Sequence, residues 1–217
     1  MFSIKSRRIS LIINLIAIFL SAFILLRLIF AAFWLDLDNL MFSEIASAFY
    51  LGLKFDLRLA IILIIPIISL TALPKYNLAT SNNIARLARW YISAVSFVVL
   101  FCYWIDFGYY DYLNQRVDIS VVRFIEDAAI SASMAWQSYP VIIIVIAWFL
   151  ASLILRYIAL AILNTCLNAP KIQLTSLRKT CYVSVLALGL LGGLYGKAST
   201  IQLRWSEAFS SNNPALI

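Results

Sequence analysis

Three charged residues interrupt an apolar stretch in the first third of the chain: Lys54, Asp56 and Arg58. On a helix, Lys54 and Arg58 lie four residues apart and share a face, whereas Asp56 points elsewhere. Charges within a membrane-spanning segment are costly and are functional candidates by default. Together with Arg27, the two basic residues could hold the phosphate of an anionic phospholipid beneath the outer leaflet.

A structural role for the same charges is the competing hypothesis. They could form ion pairs with Asp106 or Glu44, and the long basic side chains could reach the membrane interface by snorkelling. The group lies near the end of its apolar segment, where charge costs less than at the bilayer centre. The sequence alone leaves both hypotheses open.

A second polar group follows the third apolar segment, between Asp106 and Asp118. Three aspartates, one arginine and three tyrosines fall within these thirteen residues. Its candidate site residues are Asp106, Tyr109, Asp111, Asn114, Arg116 and Asp118. Carboxylates can bind a divalent ion, and interfacial aromatic belts account for the tyrosines alone. A docking surface or a structural hydrogen-bond network is the interpretation that we favour, and no metal site is predicted.

Other kinds of chemistry have little to draw on. The chain has no histidine, and no serine or threonine has a nearby base, so no catalytic residue is predicted. Cys102, Cys166 and Cys181 lie in apolar runs or near the inner face, which implies no disulfide framework. The net charge of +7 is scattered over short turns, so anionic membrane lipid rather than nucleic acid is the predicted partner.

Acidic and basic residues alternate along the chain in a way that predicts a membrane topology. Every acidic residue fits on one side of a membrane: Asp36, Asp38, Glu44, Asp56, Asp106, Asp111, Asp118, Glu126, Asp127 and Glu207. Most basic residues outside the apolar segments fit on the other side, in the stretches 5–8, 75–89 and 171–179. Lys and Arg of short loops stay on the cytoplasmic side, so the amino terminus is predicted inside and the carboxyl terminus outside.

The sequence therefore predicts an all-α polytopic membrane protein with five transmembrane helices. The expected spans are about 9–33, 45–73, 88–107, 139–163 and 180–196, with a kink at Pro66 in the second. Helical spacing of apolar residues over 117–128 predicts an amphipathic helix in the outer interface. Residues 1–196 form the five-span domain, and residues 197–217 form an outer tail or linker.

Glycines are concentrated in the fifth span: Gly189, Gly192, Gly193 and Gly196. They make two overlapping G-x-x-x-G pairs, which let another helix approach closely. We expect this span to pack centrally. The same surface could also support a homo-oligomer, and a stand-alone protein that acts through helix-packing partners is one functional hypothesis.

Three motifs, taken together, resemble a known family. They are Gly52 to Arg58 (GLKFDLR) in the second span, Asp106 to Asp118 after the third, and Leu203 to Phe209 (LRWSEAF) after the fifth. The last contributes the linker residues Arg204, Trp205 and Glu207. In their order and in the five-span topology they resemble the membrane part of lipoteichoic acid synthase-like proteins, phosphoglycerol transferases of the sulfatase and alkaline phosphatase superfamily. The resemblance covers essentially the whole chain.

This resemblance implies a membrane anchor that also guides lipid substrate in a bacterial cell (inner) membrane. Its partner would be an outer catalytic domain, attached or separate, with a threonine nucleophile and a divalent Mn or Mg ion. That domain would move phosphoglycerol from phosphatidylglycerol onto a glycolipid polymer. The sequence stops at Ile217, where the family has the linker, so no cofactor is assigned to these residues. The phosphoethanolamine transferases remain an alternative, whereas the odd span count and the lack of inverted repeats argue against a transporter.

Overall fold

Most of the chain is arranged in long helices. The computed structural model describes residues 7–34, 42–72, 82–117, 133–134, 136–168 and 176–195. Within these ranges lie five long helices: α1 (Arg7–Trp34), α2 (Phe42–Ala72), α3 (Asn82–Leu113), α4 (Val141–Asn168) and α5 (Ser176–Tyr195). The described residues include no strand, so the predicted all-α class is confirmed.

Three of these helices are long and apolar enough to cross a membrane, by length and composition. They are Ile9–Trp34 within α1, Asn82–Leu113 and Val141–Asn168. The 31 residues of α2 extend for about 46 Å, which is sufficient to span, but its first 17 residues carry four charges, Glu44, Lys54, Asp56 and Arg58. The apolar helix in α5, Val183–Tyr195, is shorter than a full crossing. Membrane character is thereby supported, and the second and fifth spans stay predictions.

The first helix occupies the centre of the packing. α1 contacts both α2 and α4 extensively and touches α5, and its buried stripe repeats every four residues through Leu11, Leu15, Phe19 and Phe23. Our expectation of a central fifth span is therefore wrong for the single chain, because most of α5 is exposed. Lipid tails are as apolar as these side chains, so close packing and polar contacts, rather than hydrophobic burial, must fix the helix positions.

The second helix faces α1 with a stripe that includes a charge. Gly52, Asp56, Ala60 and Ile64 follow each other at four-residue spacing and are all buried. The helix is continuous through Pro66, at the predicted site of a kink. The register of α2 therefore turns Asp56 toward α1.

The third helix is longer at both ends than predicted and packs mainly on α4. It continues past Phe107 to Leu113, so the first residues of the Asp106–Asp118 motif are helical rather than part of a loop. Asn114 ends the helix in the left-handed region (φ 54°), and its N–H donates to the Tyr110 carbonyl at 2.7 Å. Asparagine tolerates this conformation and is a common helix terminator.

Some predictions fall outside the described residues. They concern Asp118, the segment 118–128 of the amphipathic helix, the glycine at 196, and the linker residues Arg204, Trp205 and Glu207.

Candidate functional site at the polar end of the helices

Aromatic rings hold the last turns of α1 and α3 together. Phe30 and Tyr110 meet edge to face with ring centroids 4.8 Å apart, and Trp34 lies 5.5 Å from Phe107. Such tilted and edge-on arrangements are favourable aromatic contacts. We call this part of the molecule the polar end: the last turns of α1 and α3 and the charged half of α2. The aromatic contacts set the frame for the charges around them.

A two-point ion pair joins α1 to α2. Arg27 donates from Nη2 to Asp56 Oδ1 at 2.9 Å and from Nε to Asp56 Oδ2 at 3.1 Å. The Asp56 side chain is only 5% exposed and that of Arg27 is 25% exposed. Bidentate pairing of this kind is both strong and geometrically specific. The sequence grouped Arg27 with Lys54 and Arg58 as phosphate ligands, whereas the structure directs its guanidinium to Asp56.

A glycine makes room for this pair. Gly52 lies one turn before Asp56 on the same face of α2, and a Cβ at this position would overlap the Arg27 guanidinium. Any larger residue would require that group to move away from its carboxylate. Gly52 is thus a positioning residue for the ion pair, which gives the GLKFDLR motif a local physical reason.

A second ion pair closes the end of α3. Arg116 Nη2 lies 2.8 Å from Asp106 Oδ2, and the Val117 N–H donates to Asp106 Oδ1 at 3.0 Å. The Arg116 guanidinium also lies over the Phe30 ring, 4.4 Å from its centroid. The chain after α3 therefore folds back onto its own helix. One sequence hypothesis paired Asp106 with the basic residues of α2. In the structure Asp106 pairs with Arg116 instead.

A third aspartate links α1 to the segment before α4. Trp34 Nε1 donates to Asp111 Oδ1 at 3.2 Å, and the Tyr139 hydroxyl also bonds to Asp111. Trp34 and Tyr139 were not among the predicted site residues. Their sequence separation from Asp111 gave no signal of contact.

Tyr103 adds to the aromatic contacts between α1 and α3. Its ring stacks on Phe23 with centroids 5.8 Å apart and meets the Phe107 ring edge-on at 6.2 Å. The polar end therefore combines an ion pair between α1 and α2, an ion pair at the end of α3, and the aromatic rings of α1 and α3. Tyr109 and Asn114, which were also predicted here, lie in α3 and at its cap, half-buried and exposed respectively.

Lys54 and Arg58 lie apart from these ion pairs. As predicted, they share a face of α2. The Lys54 ammonium lies 4.2 Å from the centroid of the Tyr50 ring, and Arg58 Nη2 donates to the Tyr195 carbonyl of α5 at 3.0 Å. That carbonyl belongs to the last described turn of α5.

One of the described glycines in α5 is used in contacts within the chain. A Cβ at Gly193 would overlap the Ile61 side chain of α2, with Leu57 next to it. Gly189 and Gly192 have open space around them. Among the three described glycines of the predicted packing motif, Gly193 is the one that makes a close approach to α2.

One charge near the middle of α4 was not among the predicted site residues. Arg156 is half-buried, and its Nε donates to Ser93 Oγ of α3 at 2.9 Å. A single arginine hardly changes the apolar character of the 28-residue helix, which is why the pattern gave it no weight.

The described residues hold no group of three or more His, Cys, Asp or Glu side chains that could bind a metal. The fold and site define a helical protein of membrane character with ion pairs at one end. No protein-family model, no curated protein and no solved structure matches the chain. The particular family therefore stays a matter of proposal.

Proposed function

We propose that this chain is a five-span module of a bacterial cell membrane that binds the headgroup of an anionic phospholipid at its outer end. The amino terminus is inside and the carboxyl terminus outside. The second span is supported by the way its charges are accommodated: Asp56 is neutralised by Arg27, and Arg58 reaches the end of α5. A long helix whose charges are met in this way can cross a bilayer in spite of its composition.

The position of Lys54 carries the lipid-binding proposal. Asp56, the nearest carboxylate in sequence, is bound to Arg27 on another face of α2, so it does not neutralise Lys54. Among the described residues Lys54 makes no salt bridge, and its ammonium rests on the Tyr50 ring. Arg58 adds a second positive charge one turn away. The phosphate of a lipid headgroup would complement the positive charges of Lys54 and Arg58.

Retention of lipid by the purified protein tests this proposal. Native mass spectrometry would count phosphatidylglycerol and phosphatidylcholine molecules bound to the wild type, to Lys54→Gln and to Arg86→Gln. Arg86 is an exposed basic residue at the other end of the bundle and provides a control with the same loss of charge. A basic residue near an anionic surface contributes about 1 kcal/mol, so Lys54→Gln should lower phosphatidylglycerol retention about fivefold. If Lys54→Gln and Arg86→Gln retain the same amount of phosphatidylglycerol, Lys54 is not part of a specific lipid site.

The wider role that we propose is anchoring and lipid guidance for a phosphoglycerol transferase of the lipoteichoic acid synthase-like type. Its support is the order of the three sequence motifs, and the GLKFDLR motif has a packing reason in Gly52 and Asp56. Catalysis would belong to an outer domain with Mn or Mg, attached or separate, and not to the residues described here. Detection of the native protein in membranes, with an antibody against 77–83, tests this role: a species well above 24.5 kDa supports an attached domain.

A stand-alone role through helix packing is the second candidate, and the open space at Gly189 and Gly192 favours it. A second copy of the chain could place a helix there. Gly189→Leu should then reduce a dimer measured by crosslinking in membranes. Unchanged crosslinking would exclude this face as a contact.

A further inference from the structure

Arg156 lies close to the midpoint of an apolar helix. α4 runs from residue 141 to residue 168, so 15 residues precede Arg156 and 12 follow it. At about 1.5 Å per residue, its Cα is about 2 Å from the middle of the helix. Arginine keeps its charge in proteins, and a charge at this depth is expected to meet a counter-charge, a carbonyl or water.

The guanidinium is held in place from one side. Arg156 Nε donates to Ser93 Oγ at 2.9 Å, and Ser93 Oγ donates to the Arg89 carbonyl at 2.8 Å. In the described part of the chain, the two terminal nitrogens of Arg156 have no hydrogen-bond or salt-bridge partner. Arg156 is thus oriented by α3 and presents up to four N–H donors elsewhere.

The described helices carry their carboxylates at other levels. Helices α1, α4 and α5 contain no Asp or Glu, and the acids of α3 are Asp106 and Asp111 in its last two turns. Of the two acids of α2, Glu44 lies in its first turn and Asp56 is bound to Arg27 at the polar end. A second copy lying parallel to this one would present the acids of these helices at the same levels. Within the described residues no carboxylate pairs with Arg156, which leaves a place for a counter-charge from a different molecule.

We propose that Arg156 is the binding site for a carboxylate carried on a membrane-spanning helix of a different protein. α4 has the surface for such a helix, since only 11% of its most apolar 18-residue stretch is buried within the chain. The corresponding share is 28% for α3 and 44% for α1. A lipid phosphate fits less well. Arg156 lies seven residues, about 10 Å, inside the predicted end of the fourth span at residue 163, so a phosphate lies farther from it than a carboxylate on a neighbouring helix at the same level. The inference rests on α4 crossing the membrane, which is part of the proposed function.

Association with a defined helix tests this site. The full chain, labelled with a donor dye, is reconstituted in phosphatidylcholine vesicles with acceptor-labelled synthetic helices of about 20 leucine-rich residues. One helix carries a single Glu at its centre and the other a Gln at the same position. A charge-assisted hydrogen bond should favour the Glu helix about tenfold in energy transfer titrations. Arg156→Gln should remove this preference, Arg156→Lys should retain part of it, and Arg89→Gln should leave it intact.

Two results would overturn the assignment. In the first, the wild type binds the Glu and Gln helices equally, or Arg156→Gln keeps the preference. In the second, phosphatidylglycerol in the vesicles displaces the Glu helix from the wild type, which would make a lipid phosphate the ligand. Proteolysis of the reconstituted Arg156→Gln protein shows whether the variant is folded and inserted. Retention of lipid by Lys54 is read separately, so failure of one proposal is distinguishable from failure of the other.

Discussion

Replacement of Asp56 by Asn is the most direct test of the polar end. The variant keeps the shape of the side chain but removes its charge, which leaves the Arg27 guanidinium without its counter-ion between α1 and α2. Removal of one partner from a buried ion pair costs about 3–5 kcal/mol. Arg27 retains 25% exposure, so water can offset part of this loss. We therefore expect Asp56→Asn to lower the free energy of unfolding by about 2–3 kcal/mol.

A double-mutant cycle separates the pair from its surroundings. Arg27→Met should cost a similar amount, because it leaves the carboxylate of Asp56 buried alone. The double variant, Arg27→Met with Asp56→Asn, should lie well above the sum of the two single losses, since neither charge is then buried without its partner. The coupling free energy should exceed about 1 kcal/mol for residues in direct contact. Unfolding in mixed micelles by increasing SDS, followed by circular dichroism, measures all four proteins.

One pattern of results would contradict a stabilising role for the Arg27–Asp56 pair. If Asp56→Asn cost less than about 0.5 kcal/mol and the two single changes were additive, Arg27 and Asp56 would not stabilise each other. The Gly52 space would then have no energetic role either.

Three further changes are tested in the same unfolding assay, two of them against a matched control. Gly52→Ala should be less stable than Gly108→Ala by about 1–2 kcal/mol, because both gain helix propensity but only the first displaces the arginine of α1; equal effects would contradict the positioning role. Gly193→Leu should lower stability by about 1–3 kcal/mol, because it pushes α5 away from α2, whereas Gly189→Leu has open space and should change it little. Ser152→Ala should be neutral or stabilising by about 1 kcal/mol, since its buried Oγ has no hydrogen-bond partner among the described residues; a clear loss of stability would instead reveal a partner.

The positions of the helices could be predicted from composition alone. Each predicted apolar segment overlaps one of the five helices, because about twenty apolar residues in succession leave few alternatives to a helix. The ends were less predictable. The third helix was expected to stop near Phe107, but the residues that follow contain no proline, and the helix continues until Asn114 adopts a left-handed conformation. The residues after Phe107 are polar and aromatic, which suggested a loop, but their backbone propensity also permits the helix that the structure shows.

The partners of the charges could not be predicted. Periodicity placed Lys54 and Arg58 on one face and Asp56 on another, which is what the structure has. It could not show that Asp56 faces Arg27, because that contact depends on how α1 and α2 rotate about their axes. The same holds for the glycines of α5, which were expected to mark the centre. Small residues permit a close approach but do not say which helix makes it.

The two kinds of charge in this chain have different physical consequences. At the polar end, Arg27 and Arg116 each meet a carboxylate from the same chain, so these ion pairs are complete within the chain and stabilise the helix ends. Arg156 has a hydroxyl instead of a carboxylate on its side of α4. An ion pair within the chain can be exchanged for two apolar residues at little cost in stability. An arginine near the middle of a membrane helix, in contrast, makes insertion of that helix less favourable by about 2.5–3.5 kcal/mol on insertion scales. Loss of that arginine should therefore make α4 insert more readily while it weakens binding of the carboxylate helix. Opposite changes in insertion and association would separate a binding role for Arg156 from a purely structural one.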